Sequence, residues 1–165
     1  IKMKKIIPKN FLLDVDGVMT SGKFIYSTKG KVYKEFGPDD SDALEVLKKF
    51  INIQFITSDK KGFQITKKRI TKDMGYKVTL VPTFKRLEWA KSKFDLNKTI
   101  FMGDGIFDYL LMKKTFFSIC PKNSSELCKK ISNYQTKSEG GNRAVAEASM
   151  YILKKFFNKK IENIY

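Results

Sequence analysis

Two pairs of aspartates follow apolar runs in this chain, and their placement is chemically suggestive. Asp14 and Asp16 end the segment Asn10-Phe11-Leu12-Leu13 and lead into Gly17-Val18-Met19-Thr20. Asp104 and Asp108 follow Ile100-Phe101-Met102-Gly103 in the stretch Gly103-Asp104-Gly105-Ile106-Phe107-Asp108. Carboxylates beside a hydrophobic core are costly unless something pairs with them. A divalent cation would serve, and an all-oxygen donor set suits magnesium. An ordinary Asp-Gly turn is the plainer alternative for the first pair. A third segment, Phe55-Ile56-Thr57-Ser58-Asp59, ends in hydroxyls where a helix should begin. Such N–H and O–H groups can bind an anion, although N-capping by Ser58 or Asp59 would also account for them. Lys85 lies between these segments and could neutralise phosphate charge.

Composition narrows the remaining chemistry. The 165 residues suit one domain, and an apolar fraction of 42% with 14 Phe and 7 Tyr favours a folded core. With no histidine, Ser-His triads, His-ligated zinc and His general bases are excluded. Cys120 and Cys128 have no metal-type spacing and read as reduced core thiols. The net charge of +16 raises nucleic-acid binding, but the lysines are spread along the whole chain without a basic tail. A solvated surface, or attraction of an anionic substrate, fits better. No apolar run approaches the roughly 20 residues needed to cross a bilayer. Ile1–Pro8 carries lysines without the apolar stretch of a signal peptide. A soluble cytoplasmic protein without nucleic-acid or membrane partners is the expectation.

The elements that must position these residues alternate between strand and helix patterns. Strands are expected at Asn10–Val15, Asn52–Thr57, Tyr76–Val81, Thr99–Met102 and Phe116–Ile119. Gly22–Tyr26 and Lys31–Phe36 flank Ser27-Thr28-Lys29-Gly30 as a β-hairpin. Helices are expected over Lys61–Met74, stopped by Gly75, over Leu87–Phe94, and over Asn142–Phe157. Ala43, Val46, Leu47 and Phe50 share another helical face. The pattern predicts an α/β, Rossmann-like, doubly wound and mostly parallel sheet of about five strands. Right-handed crossovers then bring the strand C-termini to one edge, where ligands bind.

Taken in order, DxDGVxT, a strand-terminal Thr, Lys and GDxxxD resemble the haloacid dehalogenase-like superfamily. The second aspartate, Asp16, resembles its phosphatase and phosphomutase branches. LLDVDGVMTSGKFIYSTKGKVYKEF is similar to the start of the 3-deoxy-manno-octulosonate 8-phosphate phosphatases and of the phosphatase domains linked to acylneuraminate cytidylyltransferases. Glu139-Gly140-Gly141 to Glu147 resembles their glycine-rich tail. The resemblance implies that Asp14 attacks phosphorus and that Asp16 protonates the leaving alkoxide, then activates water. It implies Mg2+ held by Asp14, the Asp16 carbonyl and Asp104. Thr57, Ser58 and Lys85 would bind phosphate, with Lys85 also stabilising developing charge and Asp108 orienting Lys85 or a metal-bound water. Asp40 and Arg143 are possible substrate contacts.

Several positions depart from that pattern. Asp39 and Asp59 stand where arginines are usual, Arg143 where a glycine is usual, and Ala146 where an arginine is usual. The 43 positions from Asp14 to Thr57 and 28 from Thr57 to Lys85 leave no room for an inserted cap. The expectation is one domain over 1–165, with a hairpin near 22–36 and a tail near 139–157. Similar capless proteins are tetramers, so the resemblance implies a homotetramer acting on a phosphorylated sugar acid. A phosphatase or phosphomutase for another small ester, or a non-catalytic basic binding module on the same fold, are the competing readings.

Overall fold

The computed structural model describes residues 6–164; most of the leader reading at Ile1–Pro8 lies outside them. Six parallel strands form one sheet in the order β5-β4-β1-β6-β7-β8. They are β1 (Asn10–Asp14), β4 (Asn52–Thr57), β5 (Lys77–Leu80), β6 (Thr99–Met102), β7 (Phe117–Cys120) and β8 (Tyr134–Gln135). A separate antiparallel hairpin pairs β2 (Ile25–Ser27) with β3 (Gly30–Tyr33). The helices are α1 (Pro38–Leu47), α2 (Phe63–Lys67), α3 (Arg86–Lys93), α4 (Tyr109–Met112), α5 (Glu126–Ile131) and α6 (Ala144–Phe157).

The central strands are apolar on both faces because helices cover both. In β1, Phe11 and Leu13 join one core cluster with α1 and α6, whereas Leu12 joins the other with Ala90 and Leu111. Phe11, Phe55 and Phe101 are fully buried, so truncating any of them to alanine should cost about 3–5 kcal/mol. The chain order places β4 and β6 on either side of β1, in register from Asn10 onward. Thr57, Asp14 and Met102 therefore end at one edge, which brings the three polar segments together.

Two features differ from the expected elements. β8 has only two residues, too short for a period-2 signal to stand out. The expected helix at Lys61–Met74 runs as α2 into a π-helical stretch at Lys68–Asp73. Its wider turn is marked by the Met74 N–H donating to the Arg69 carbonyl at 3.1 Å. Thr66, Ile70 and Met74 all remain turned to the interior, and Gly75 ends the segment with φ +78°.

Candidate active site

The site is assembled from strand ends. Asp14 closes β1 and is buried, with its Oδ1 accepting from the Val15 N–H at 2.7 Å. Arg86, at the start of α3, holds Asp14 in a fork: Nη1 to Oδ2 at 2.8 Å and Nη2 to Oδ1 at 3.2 Å. Arg86 Nη1 also pairs closely with Asp108 Oδ1, and Nη2 reaches Ser58 Oγ at 3.4 Å. The other oxygen of Asp108 accepts from the N–H groups of Asp104 and Gly105 at 3.0 and 2.9 Å. Asp108 thus fixes both the Arg86 guanidinium and the loop that carries Asp104.

The loop after β1 comes close to Asp104. Gly17 has φ +90°, and a Cβ there would sit 1.9 Å from Asp104 Oδ2. Only glycine permits that approach. The glycine-rich tail packs behind the same loop: a Cβ on Gly140 would lie 1.9 Å from the Gly17 carbonyl oxygen, and the Gly141 N–H donates to the Val18 carbonyl at 3.0 Å. The tail therefore buttresses the loop bearing Asp16.

The electrostatics are under-compensated. Asp14, Asp104 and Asp108 offer carboxylate oxygens within 4.8 Å of one another. Burial raises the Asp14 pKa to about 7 despite the opposing charge of Arg86. Burial, followed by the charge of Asp14, raises Asp104 to about 8. Asp104 Oδ1 is buried and has no hydrogen-bond partner among the described residues. An orphaned buried oxygen, close to further carboxylates and served by one guanidinium, fits a hard divalent cation. Asp14 and Asp104 would hold it, and Asp108, already engaged by Arg86 and two N–H groups, would stand behind.

Asp16 is held from two sides. Thr57 Oγ1 donates to its Oδ2 at 3.1 Å, and Lys34 Nζ lies 2.7 Å from its Oδ1. Asp16 itself lines a cleft of about 320 Å³, together with Asp14, Ser58, Asp59, Arg86, Asp104 and Asp108. Among the described residues, Arg86 is the one cation in that lining. Phe24, Ile106 and Phe107 complete its apolar side, and Phe84 packs edge-on against Phe107.

Three expected site residues are placed elsewhere. Lys85 is 70% exposed, faces Glu88 at 3.6 Å, and does not line the cleft; the neighbouring Arg86 occupies the place expected for it. The helical register explains the difference, since Arg86 lies four residues before the buried Ala90 and shares its face. Asp40 is fully buried and accepts from the Ala146 N–H at 2.8 Å, capping α6, and it does not line the carboxylate cleft. Arg143 adopts φ 72° and pairs with Asp39 at 2.5 Å, away from the carboxylate cleft. The two departures at 39 and 143 are thus one ion pair. Lys31 and Lys34, which spacing alone did not single out, reach Asp59 at 2.6 and 2.8 Å.

The profile of the haloacid dehalogenase-like hydrolases matches residues 21–148, beginning after Asp14 and Asp16. A search of curated proteins returns no match. Among solved structures, a 3-deoxy-D-manno-octulosonate 8-phosphate phosphatase from Moraxella catarrhalis, in complex with magnesium, phosphate and KDO, is 28% identical. It superposes with a TM-score of 0.79 over 92% of this chain and 88% of that one. The cobalt-bound deoxy-D-mannose-octulosonate 8-phosphate phosphatase of Haemophilus influenzae is 23% identical, with a TM-score of 0.78 over 92% and 91%. The 3-deoxy-D-manno-octulosonate 8-phosphate phosphatase of Yersinia pestis is 21% identical, with a TM-score of 0.76 over 88% and 80%. The last two likenesses are likenesses of fold.

Proposed function

The chain belongs to the haloacid dehalogenase-like hydrolase family, and from that premise we propose that it is a magnesium-dependent phosphomonoesterase acting on a sugar-acid phosphate. The substrate would be 3-deoxy-manno-octulosonate 8-phosphate or a related nonulosonate 9-phosphate. The observation that carries the reading is the pairing of buried Asp14 with Arg86, beside an Asp104 oxygen left without a partner. A nucleophile, a cation for transferring phosphoryl oxygens and a metal seat thereby occupy one strand edge.

Asp14 attacks phosphorus in line, giving an aspartyl-phosphate, while Asp16 protonates the departing alkoxide. Asp16 then takes a proton from water as its oxygen attacks the same phosphorus and Asp14 is released. Arg86 and Ser58 supply donors for the non-bridging oxygens, with Arg86 in the role first expected of Lys85, while the single hydroxyl hydrogen of Thr57, first expected on phosphate, goes to Asp16. Magnesium bound at Asp14 and Asp104, with the Asp16 carbonyl, supplies the charge that lets two anions approach.

The sugar-acid assignment draws on the Moraxella phosphatase, which was solved with KDO. Arg86 is committed to Asp14 and Asp108, so a substrate carboxylate needs a further cation. A neighbouring copy in a homotetramer would provide it, consistent with the exposed hairpin residues Ile25, Tyr26 and Tyr33. The decisive experiment measures phosphate release from an aryl phosphate, octulosonate 8-phosphate and a neutral hexose phosphate, with magnesium and with excess chelator. Metal-dependent turnover with preference for the acidic sugar is expected. Turnover in chelator contradicts the metal role, and preference for the neutral hexose removes the sugar-acid assignment.

A further inference from the structure

The hairpin sends a buried lysine to the acid/base. Lys34 follows β3 directly, and its side chain is 0% exposed. Three oxygens surround its ammonium: Asp16 Oδ1 at 2.7 Å, Asp59 Oδ2 at 2.8 Å and Thr66 Oγ1 at 2.8 Å. Burying an ammonium is expensive unless opposite charge meets it. A hairpin can be anchored by apolar contacts at much lower cost, so this arrangement needs a reason. Neutralising Asp59 is not sufficient, because Lys31 already pairs with that carboxylate at 2.6 Å. Lys31 also lies 3.2 Å from the Phe24 ring centroid, tying the hairpin together without Lys34. Among the ion pairs of the described residues, only the one with Lys34 involves Asp16.

We infer that Lys34 is a positioning residue for Asp16, an inference that rests on the acid/base reading of Asp16 given above. Thr57 hydrogen-bonds one carboxyl oxygen from β4, and the Lys34 ammonium, carried by the hairpin, sets its charge 2.7 Å from the other as an ion pair without hydrogen-bond alignment. Both proton transfers need that carboxyl in one place. In the first, the bond from phosphorus to the leaving oxygen breaks, and that oxygen takes the Asp16 proton. In the second, water gives a proton to Asp16 as its oxygen bonds to phosphorus. Because Lys34 is carried by the hairpin, alignment of the acid depends on the hairpin being docked over the cleft. A capless site thereby couples its covering element to its chemistry.

The test compares kcat/KM, which reports steps only through loss of the leaving group and so leaves out the shared dephosphorylation, for an aryl phosphate, whose leaving group needs little protonation, and for an alkyl phosphate, whose leaving group needs it fully. Wild type, Lys34→Met, Asp16→Asn and the double variant are measured on both. Lys34→Met should lose at least about tenfold more on the alkyl than on the aryl ester, general acid–base catalysis being worth roughly 10²–10⁴-fold. In the Asp16→Asn background it should change neither rate by more than about twofold, the mark of two residues acting as one unit. Equal losses on both esters, or losses that multiply in the double variant, overturn the inference. Lys34→Gln keeps an amide donor and replaces Lys34→Met if that variant lacks a cooperative melt; the same pattern, smaller, is expected. A wild-type protein inactive on both esters overturns the phosphatase reading itself, whereas an active wild type with equal losses removes only the role of Lys34.

Discussion

Carboxylates at two places in this molecule have opposite fates. Glu147, in the first turn of α6, accepts from the Tyr134 hydroxyl at 2.8 Å and from the N–H groups of Lys137 and Ser138 at 2.9 and 3.0 Å. Burial opposes its charge, yet those donors, led by the Lys137 N–H, hold its pKa below the usual glutamate range. Asp14 and Asp104 are more deeply enclosed; Arg86 and the Val15 N–H do not offset burial at Asp14, and Asp104 Oδ1 has no donor among the described residues, so burial wins and raises them to about 7 and about 8. Glu147, a carboxylate that anchors the tail, is satisfied by the protein. One kept for a ligand is left short, and pKa values displaced upward in a cleft mark such a site. The same contrast separates neighbouring cations: Arg86 is buried among aspartates, while Lys85 extends into solvent.

The largest expected effect is at Asp14. Asp14→Asn should lower kcat about 10³-fold or more while the fold persists, since the isostere keeps its shape and Arg86 keeps Asp108. Activity within tenfold of wild type would show that the buried aspartate is not the nucleophile. Next comes the pair of cations. Arg86→Ala should cost about 10²–10³-fold in kcat, and Lys85→Ala no more than about twofold. A reversal of those two results would return the role to Lys85.

Much of this contrast was legible in the sequence, for reasons that differ by residue. Asp14, Asp16, Asp104 and Asp108 sit at the ends of apolar runs, and parallel pairing on either side of β1 brings such ends together. Arg86 could have been chosen over Lys85 from the helical face it shares with Ala90, a signal weakened by a 3-10 turn at Thr83–Lys85. Lys34 was not legible, because nothing in a four-residue strand predicts that the hairpin folds back on the β1 edge. The capping role of Asp40 was not legible because a buried N-cap supplied from another helix, α1 capping α6, leaves no local trace. Asp39 and Arg143 are 104 residues apart, so each looked like an isolated departure.

Metal and pH should separate the two kinds of carboxylate in stability measurements. Asp14 and Asp104 have folded pKa values of about 7 and about 8, above their ordinary value of 3.8. The metal-free native state therefore binds more protons than the unfolded chain, and its stability falls as pH rises from about 4 through about 8. Magnesium must displace those protons, so the rise in Tm it produces should grow between pH 5.5 and pH 8.5, all values about. Asp104→Asn should flatten both trends. A magnesium shift in Tm that is constant across that range argues against a metal seat at these carboxylates. Glu147 runs the other way: its folded pKa is depressed, so its contribution is present above the ordinary value of 4.5 and is lost as pH falls through the folded value. Glu147→Gln should cost about 1–3 kcal/mol near neutrality, with kcat within about threefold of wild type. A much larger loss of kcat at unchanged stability would give the tail a part in turnover.

The smallest effect is expected at Arg143, and it bears on assembly. The Asp39–Arg143 pair is 49% and 71% exposed, and exposed pairs contribute about 0–1 kcal/mol. For a chain of this size that is at most about 4 °C in Tm. Within one chain the guanidinium is spent on Asp39 and does not line the carboxylate cleft, so Arg143→Ala should leave kcat/KM for an aryl phosphate unchanged within about twofold. The same should hold for an acidic sugar phosphate if each chain reads its own substrate. A loss above about tenfold confined to the acidic sugar would mean that the arginine of one copy enters the cleft of another. Assembly would then have to exchange the intrachain partner Asp39 for the substrate carboxylate, a swap between two charge-assisted contacts of similar strength. Light scattering at the assay concentration, together with mixtures of Arg143→Ala and Asp14→Asn chains, distinguishes the two cases. Mixed oligomers regain acidic-sugar turnover only when the arginine comes from a neighbour.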